Sequence, residues 1–312
     1  MELTRILSYR SIITPVLGLV AGIGLVALLA PSPPPDPEPP ANREFRPNIS
    51  VLKLPEKLDF CGEPVPMDDP EVRKRMDREF LLNLQWDGQV MLYLKRSGEF
   101  FDMYDRILKE EDAPNDLKYL SVAESALFQA QSSKGAVGLW QFIPETGRRY
   151  GLRIDDNVDE RRNPEKSTRA AVRMLKDNYK RFGSWALSAA AYNMGEGQVQ
   201  DDISFQGSRS YYDLYLNEET SRYVFRVVAL KEIVGHPDRY GYFLKKEDYY
   251  PVTPTRIVNV DEEISNLAQW AQSQGTSYKN VKLLNPWILK RSLPKPSAGQ
   301  SWQIAVPARG GE

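Results

Sequence analysis

From Asp116 to Phe128 the apolar positions recur with the period of a helix. At about 100° per residue, Leu117, Leu120, Leu127 and Phe128 share one stripe, and Glu124 falls near its middle. Tyr119, Val122 and Ala126 make the opposite side largely apolar, so the helix is expected to be buried on most faces. A charge there is costly unless it is paired or neutralised. A carboxyl in apolar surroundings has a raised pKa and stays protonated near neutral pH, the state a general acid needs. The competing reading is a glutamate solvated or paired on the helix surface, as most helix glutamates are.

The same periodicity covers most of the middle of the chain. It begins near Pro70 with Val72, Met76 and Phe80 and runs on through Met91, Leu94, Phe101, Tyr104, Ile107 and Leu108. These aromatics read as core rather than as a binding platform. Asn163-Pro164-Glu165 has the form of an N-cap, a first-turn proline and an acidic first turn. Val172, Leu175, Tyr179 and Phe182 follow at helical spacing, and Gly183 closes that helix. Ser184 to Gly197 is an alanine-rich helix ending in Tyr192-Asn193 and two glycines. After Pro251 and Pro254 the pattern changes to β-α-α-β: strands at 256–260 and 302–306, helices at 264–274 and 280–289.

Towards the N-terminus, Arg5 and Arg10 precede an uncharged run from Ser11 to Ala30. That is close to the roughly 20 residues that span a bilayer. The arginines place the N-terminus in the cytoplasm and the remainder on the far side of the membrane. Leu28-Leu29-Ala30 followed by Pro31 lacks the small-x-small pattern of a cleaved signal peptide, so an uncleaved anchor is expected. Pro31 to Pro47 is a proline-rich tether, extended and unpacked. The expected division is an anchor at 1–30, a tether and extended segment at 31–69, a mainly helical domain at 70–250 and a small α+β module at 255–308.

Between the Glu124 helix and the next one lies a loop rich in small residues, Gln129 to Gly147, with Gly135 and Gly138 where backbone can approach another group closely. Gln141 is the one amide in its apolar run Leu139 to Ile143. Four motifs then stand in order: Glu124-Ser125; Ser132, Gly135-Ala136, Gly138-Leu139-Trp140-Gln141 and Pro144-Glu145-Thr146; Ala191-Tyr192-Asn193-Met194-Gly195; and Glu219-Thr220-Ser221-Arg222-Tyr223-Val224. Over roughly Ala113 to Tyr240 the chain resembles the lytic murein transglycosylases of the soluble-lytic-transglycosylase type, which have a goose-lysozyme-like catalytic domain. One departure is visible: the stretch from Glu124 to the loop serine is about one residue short. Counting forward from Glu124 selects Ser133; counting back from Gln141 selects Ser132 and keeps the Ser-x-x-Gly-Ala spacing intact. The C-terminal β-α-α-β stretch looks like a degenerate LysM module, with Asp261-Glu262-Glu263 where the usual Gly-Asp-Thr would stand. The rival reading of that stretch is a purely structural lobe.

The resemblance implies a mainly α, goose-type lysozyme-like fold with a LysM-like C-terminal module. It also implies cleavage of the β-1,4 bond between N-acetylmuramic acid and N-acetylglucosamine, giving 1,6-anhydromuramic ends, without cofactor or metal. Glu124 would be the single general acid and base. Ser132 and Gln141 would hydrogen-bond the glycan, Tyr192 and Asn193 would position the muramoyl sugar, and Tyr223 would orient Glu124. Peptidoglycan glycan strands are the implied partner. Two rivals remain at this point: a water-using muramidase on the same fold, which needs a second carboxylate, and a glycan-binding or scaffold protein without activity.

Composition removes other chemistries. The 312 residues carry a formal charge of −1, which gives no electrostatic case for nucleic acid. A single histidine, His236, and a single cysteine, Cys61, supply neither a His/Cys zinc site nor an internal disulfide. Glu145, Asp155, Asp156 and Glu196, the other acids near the motifs, read as solvated charges or helix-end partners.

Overall fold

The computed structural model describes residues 53–308. The expected anchor at 1–30 and the Pro31–Pro47 tether lie outside these residues. Among the described residues no helix is long and apolar enough to cross a membrane. The first described element is a short hairpin, β1 (Asp59–Phe60) and β2 (Glu63–Pro64). Its turn passes through Cys61 and Gly62 at φ 55° and 80°, the sign a tight two-residue hairpin requires. Glu63 then accepts from Ser184 Oγ at 2.9 Å, Trp185 N at 2.6 Å and Ala186 N at 3.2 Å. It thereby satisfies free N–H groups at the start of the alanine-rich helix.

The helical domain is built from α1 (Pro70–Leu84), α2 (Asp87–Glu110), α3 (Lys118–Ser125), α4 (Pro144–Arg149), α5 (Pro164–Phe182), α6 (Trp185–Met194), α7 (Glu196–Gln206) and α8 (Glu218–Gly235). In α1, Val72, Met76, Phe80 and Leu84 are buried at four-residue spacing, one stripe that faces α8. Asp69 caps that helix, accepting from Glu71 N at 2.7 Å. α5 starts and stops where its sequence signals stand: Asn163 accepts from Lys166 N at 3.0 Å, and Gly183 ends it at φ 72°. Ala186, Ala189, Ala190 and Ala191 of α6 are all buried. Their small side chains let α6 sit closely between α5 and α8.

The helix expected over 116–128 ends early. α3 stops at Ser125, and Ala126 and Leu127 both take left-handed backbone at φ 55°. Two such non-glycine residues cost about 1–3 kcal/mol each. Their surroundings hold them: Leu127 is buried, and Arg96 Nη1 donates to Ala126 O at 3.0 Å. Phe128 therefore leaves the core stripe, and it is 57 % exposed beneath the Arg96 guanidinium.

The C-terminal part has its own core. β3 (Thr255–Val260) and β4 (Trp302–Pro307) pair antiparallel, Thr255 opposite Pro307 and Val260 opposite Trp302. α9 (Leu267–Ser273) and α10 (Tyr278–Leu284) lie between them in sequence. Ile264, Leu267, Ala271, Val281, Trp287, Ile288, Leu293, Trp302, Ile304 and Val306 form the core. Both helices are shorter than expected. Ile264 is not helical: it exchanges backbone bonds with Leu293 at 2.9 and 2.8 Å. α10 stops at Leu284 because Asn285 precedes Pro286, which disfavours helix. The buried Asn285 side chain instead pairs with both backbone groups of Ala305, at 2.7 and 2.9 Å.

Candidate active site

Four elements carry the predicted residues: the end of α3, the loop after it, and the facing ends of α6 and α8. Glu124 lies on the last turn of α3. Ser125 beside it is buried and donates to Leu139 O at 2.8 Å, which ties the helix end to the loop. Ser121, one turn back, donates to the same carbonyl at 3.1 Å and meets Tyr104 Oη at 2.8 Å.

Glu124 Oε1 accepts from Tyr223 Oη at 2.5 Å. Tyr223 is fully buried on α8. Burial pushes the Glu124 carboxyl above the ordinary range. The Tyr223 hydrogen bond and the nearby Arg226 guanidinium pull the other way, and the negative charge of Glu219 adds to the rise. Burial also pushes the Tyr223 and Tyr192 hydroxyls well up, helped in both by the charge of Glu124. Both phenols therefore stay protonated donors.

The loop is compact and closed on itself. Ser132 N donates to Ala136 O at 2.9 Å, and Ser132 Oγ accepts from Ala136 N at 3.1 Å. Ser133 is exposed, so Ser132 is the serine built into the loop. Gln141 has φ 50°, and its amide donates to Gly138 O at 2.8 Å and Ala130 O at 3.2 Å. That use of the NH₂ leaves the amide oxygen as its acceptor for a ligand. Tyr192 Oη donates to Trp140 O at 2.6 Å. Asn193 is held at both ends of its amide: Thr220 Oγ1 donates to its oxygen at 2.7 Å, and its NH₂ donates to Glu219 Oε1 at 3.2 Å.

Of the six predicted residues, Glu124 and Tyr223 are in direct contact, and Tyr192 lies within the field of Glu124. Ser132 and Gln141 shape the loop, and Asn193 turns to α8. Glu145 and Asp156 are exposed, Asp155 binds Arg153 at 2.7 Å, and Glu196 binds Arg149 at 2.9 Å. Sequence reasoning gave no role to Glu219 or Arg226. Their signal was spacing on one helix: Glu219 stands four residues before Tyr223 and Arg226 three after it, so all three share a face.

Residues 105–214 match the transglycosylase SLT domain. The chain carries a transglycosylase SLT domain. Residues 256–310 match the soluble lytic transglycosylase C-terminal LysM-like domain. The SLT domain holds Glu124, the loop and the Tyr192-Asn193 pair, while Glu219, Tyr223 and Arg226 lie just beyond the matched residues. The fold class is accordingly the expected one, a mainly α SLT domain followed by an α+β LysM-like module. Among relatives, membrane-bound lytic murein transglycosylase D of Escherichia coli strain K12 is 33% identical over 238 residues, 73% of this chain and 51% of that protein. The chain thus spans about half the length of the curated relatives it matches. The peptidoglycan transglycosylase gp16 of Escherichia phage T7 is 40% identical over 116 residues, 36% of this chain and 9% of that protein. The 70 kDa soluble lytic transglycosylase of Escherichia coli aligns in structure over 57% of this chain and 31% of its own, at 20% identity and a TM-score of 0.41.

Proposed function

We propose that this chain is a peptidoglycan lytic transglycosylase in which Glu124 acts first as acid and then as base. The observation that carries the reading is a desolvated carboxyl, gripped at 2.5 Å by a buried phenol, on an SLT domain. Protonated Glu124 gives its proton to the oxygen of the β-1,4 bond as that bond breaks. The N-acetyl group of the muramic sugar supports the anomeric carbon. The glutamate, now ionised, removes the proton from the C6 hydroxyl of the same sugar, which closes onto the anomeric carbon. Glu124 regains its proton, no water is consumed, and a 1,6-anhydromuramic end results. Gln141 and Ser132 hold the glycan against the loop, Tyr192 and Asn193 fix the muramoyl sugar, and Tyr223 aims the carboxyl.

A hydrolytic variant has one observation in its favour. Glu219 is a second carboxylate close enough to raise the Glu124 pKa, and hydrolysis needs such a group to activate water. Against it, Glu219 is engaged by the Asn193 amide at 3.2 Å. As boundaries we take 1–30 as anchor, 31–69 as tether and extended segment, with Phe60, Val65 and Met67 of that segment packed into the helical core, 70–250 as catalytic domain and 255–308 as module. The uncharged run from Ser11 to Ala30 and the membrane-bound relative support a single-pass anchor, with the catalytic domain outside the cytoplasm.

Mass spectrometry of muropeptides released from purified peptidoglycan tests the reading. Anhydro ends, lighter than reducing ends by one water, are expected. Reducing ends would replace it with hydrolysis, and retention on the pellet with no release would replace it with glycan binding alone.

A further inference from the structure

The segment 157–162 lies in the SLT domain by sequence, yet it joins the C-terminal core on one side and the loop after α3 on the other. Val158 is fully buried in the C-terminal core beside Ile288, with which it forms an antiparallel bridge. Asp159 N donates to Trp287 O at 2.9 Å, and Leu289 N donates to Asn157 O at 2.8 Å. The next residues turn the other way. Arg161 is buried and forks onto Asp159, Nε to Oδ1 at 2.9 Å and Nη2 to Oδ2 at 2.7 Å. Its Nη1 donates to Gly135 O at 2.8 Å and Phe142 O at 2.9 Å. These two carbonyls bracket the stretch that carries Gln141. Gly138, at φ 88°, lies flat on the same segment, where a Cβ would fall 2.1 Å from Arg161 O. Gln129 Nε2 completes the contact, donating to Arg162 O at 2.9 Å.

We propose that the C-terminal module braces the active-site loop through this strap, with Arg161 as the positioning residue that fixes Gln141 relative to Glu124. The coupling is mechanical; its consequence for turnover rests on the function proposed above. Gly135 O and Phe142 O are each given a charged donor by Arg161, and losing a buried partner costs more than an average hydrogen bond contributes. Asp159 neutralises the cation that does this, and the module fixes Asp159 through its backbone. Val158 is the peg: with its side chain in the module core, the strap cannot drift without opening that core. A loop shift of about 1 Å is enough to cost up to about 100-fold in rate.

The test compares the full-length chain with Leu289→Pro, Arg161→Met and Arg161→Lys. Leu289→Pro removes the module's N–H donor to Asn157 at a side chain 42 % exposed. Hydrogen–deuterium exchange is followed at 130–142, and kcat and KM for release from peptidoglycan are measured separately. Exchange at 130–142 should quicken roughly tenfold in Leu289→Pro and Arg161→Met, with α6 and α8 unchanged. In both, kcat should fall roughly 10- to 100-fold. Arg161→Lys should lie between, because an ammonium cannot fork onto Asp159 and also reach both carbonyls. Wild-type exchange and kcat in Leu289→Pro and Arg161→Met would overturn the proposal. If Leu289→Pro does not fold, Arg161→Met decides alone by the same readouts. If the wild-type chain releases nothing, the functional reading has failed, and exchange at 130–142 still decides the brace.

Discussion

Glu124 and Asp159 are both carboxylates withdrawn from water in the same domain, but their partners differ in kind. Asp159 faces a buried guanidinium through two bonds, at 2.9 and 2.7 Å. Glu124 faces a phenol at 2.5 Å, and the cation that acts on it, Arg226, lies over the ring of that phenol at 5.5 Å from its centre. A guanidinium cannot give up its proton, so the Asp159 pair is a fixed structural unit. A phenol hydroxyl can donate to an ionised carboxylate and remain beside a protonated one. Burial alone therefore does not make a catalytic acid. A neutral partner leaves the proton free to come and go, and a cationic partner turns the same group into a tie.

Exchanging or deleting partners tests that contrast. The largest effect is expected from Glu124→Gln, which keeps shape and abolishes proton transfer: muropeptide release should fall roughly 10²- to 10⁴-fold. The same variant should melt at higher temperature than wild type at neutral pH. The sign follows from linkage: the folded-state pKa of Glu124 is raised, so its stability contribution is present below the unfolded value and lost as pH rises through the folded one. Scanning calorimetry should show the advantage of glutamine shrinking as the pH is lowered into the ordinary carboxylate range. Next comes Asp159→Asn, which strands the buried Arg161 charge; chemical denaturation should show a loss of about 3 kcal/mol. A loss near zero would mean that Asp159 is no tie. Tyr223→Phe should lower kcat roughly tenfold and, by removing the bond that favours the ionised form, move the alkaline limb of the pH–rate profile upward. Smallest are two opposed shifts of that limb. Arg226→Met removes a charge that lowers the Glu124 pKa and should move the limb up, while Glu219→Gln removes one that raises it and should move the limb down. If both move the same way, electrostatics is not what tunes Glu124.

The two groups were unequally legible in the sequence. Glu124 stood out because a charge in an apolar helical pattern is a local anomaly. Helix caps were legible for the same reason, as with Asn163, Pro164 and Gly183. Asp159 and Arg161 were not, since they sit in a run of charges from Arg153 to Arg162 that reads as solvated surface. Only the fold shows that one Arg of that run turns inward onto loop carbonyls. The early end of α3 was hidden too. Leu127 and Phe128 continue the apolar pattern, and the left-handed turn at Ala126 and Leu127 is enforced by Arg96 and by burial, both distant in sequence. Val158 illustrates the limit most directly: one valine in a polar stretch carries no sign that it belongs to a core assembled from residues 258–306.

The bridge between Val158 and Ile288 also bears on how the molecule is made. Its partners are 130 positions apart (288 − 158), so a growing chain emits the strap and the whole loop long before the segment that pins them. Helical contacts such as α5 on α6 can form early, because they are local. The loop that carries Gln141 reaches its final support only when synthesis has passed Leu289. On this arrangement a chain ended before Leu289 would hold Glu124 in place and yet leave the Gln141 loop unbraced, so on the function proposed above the site would be completed last, once the C-terminal module has been delivered.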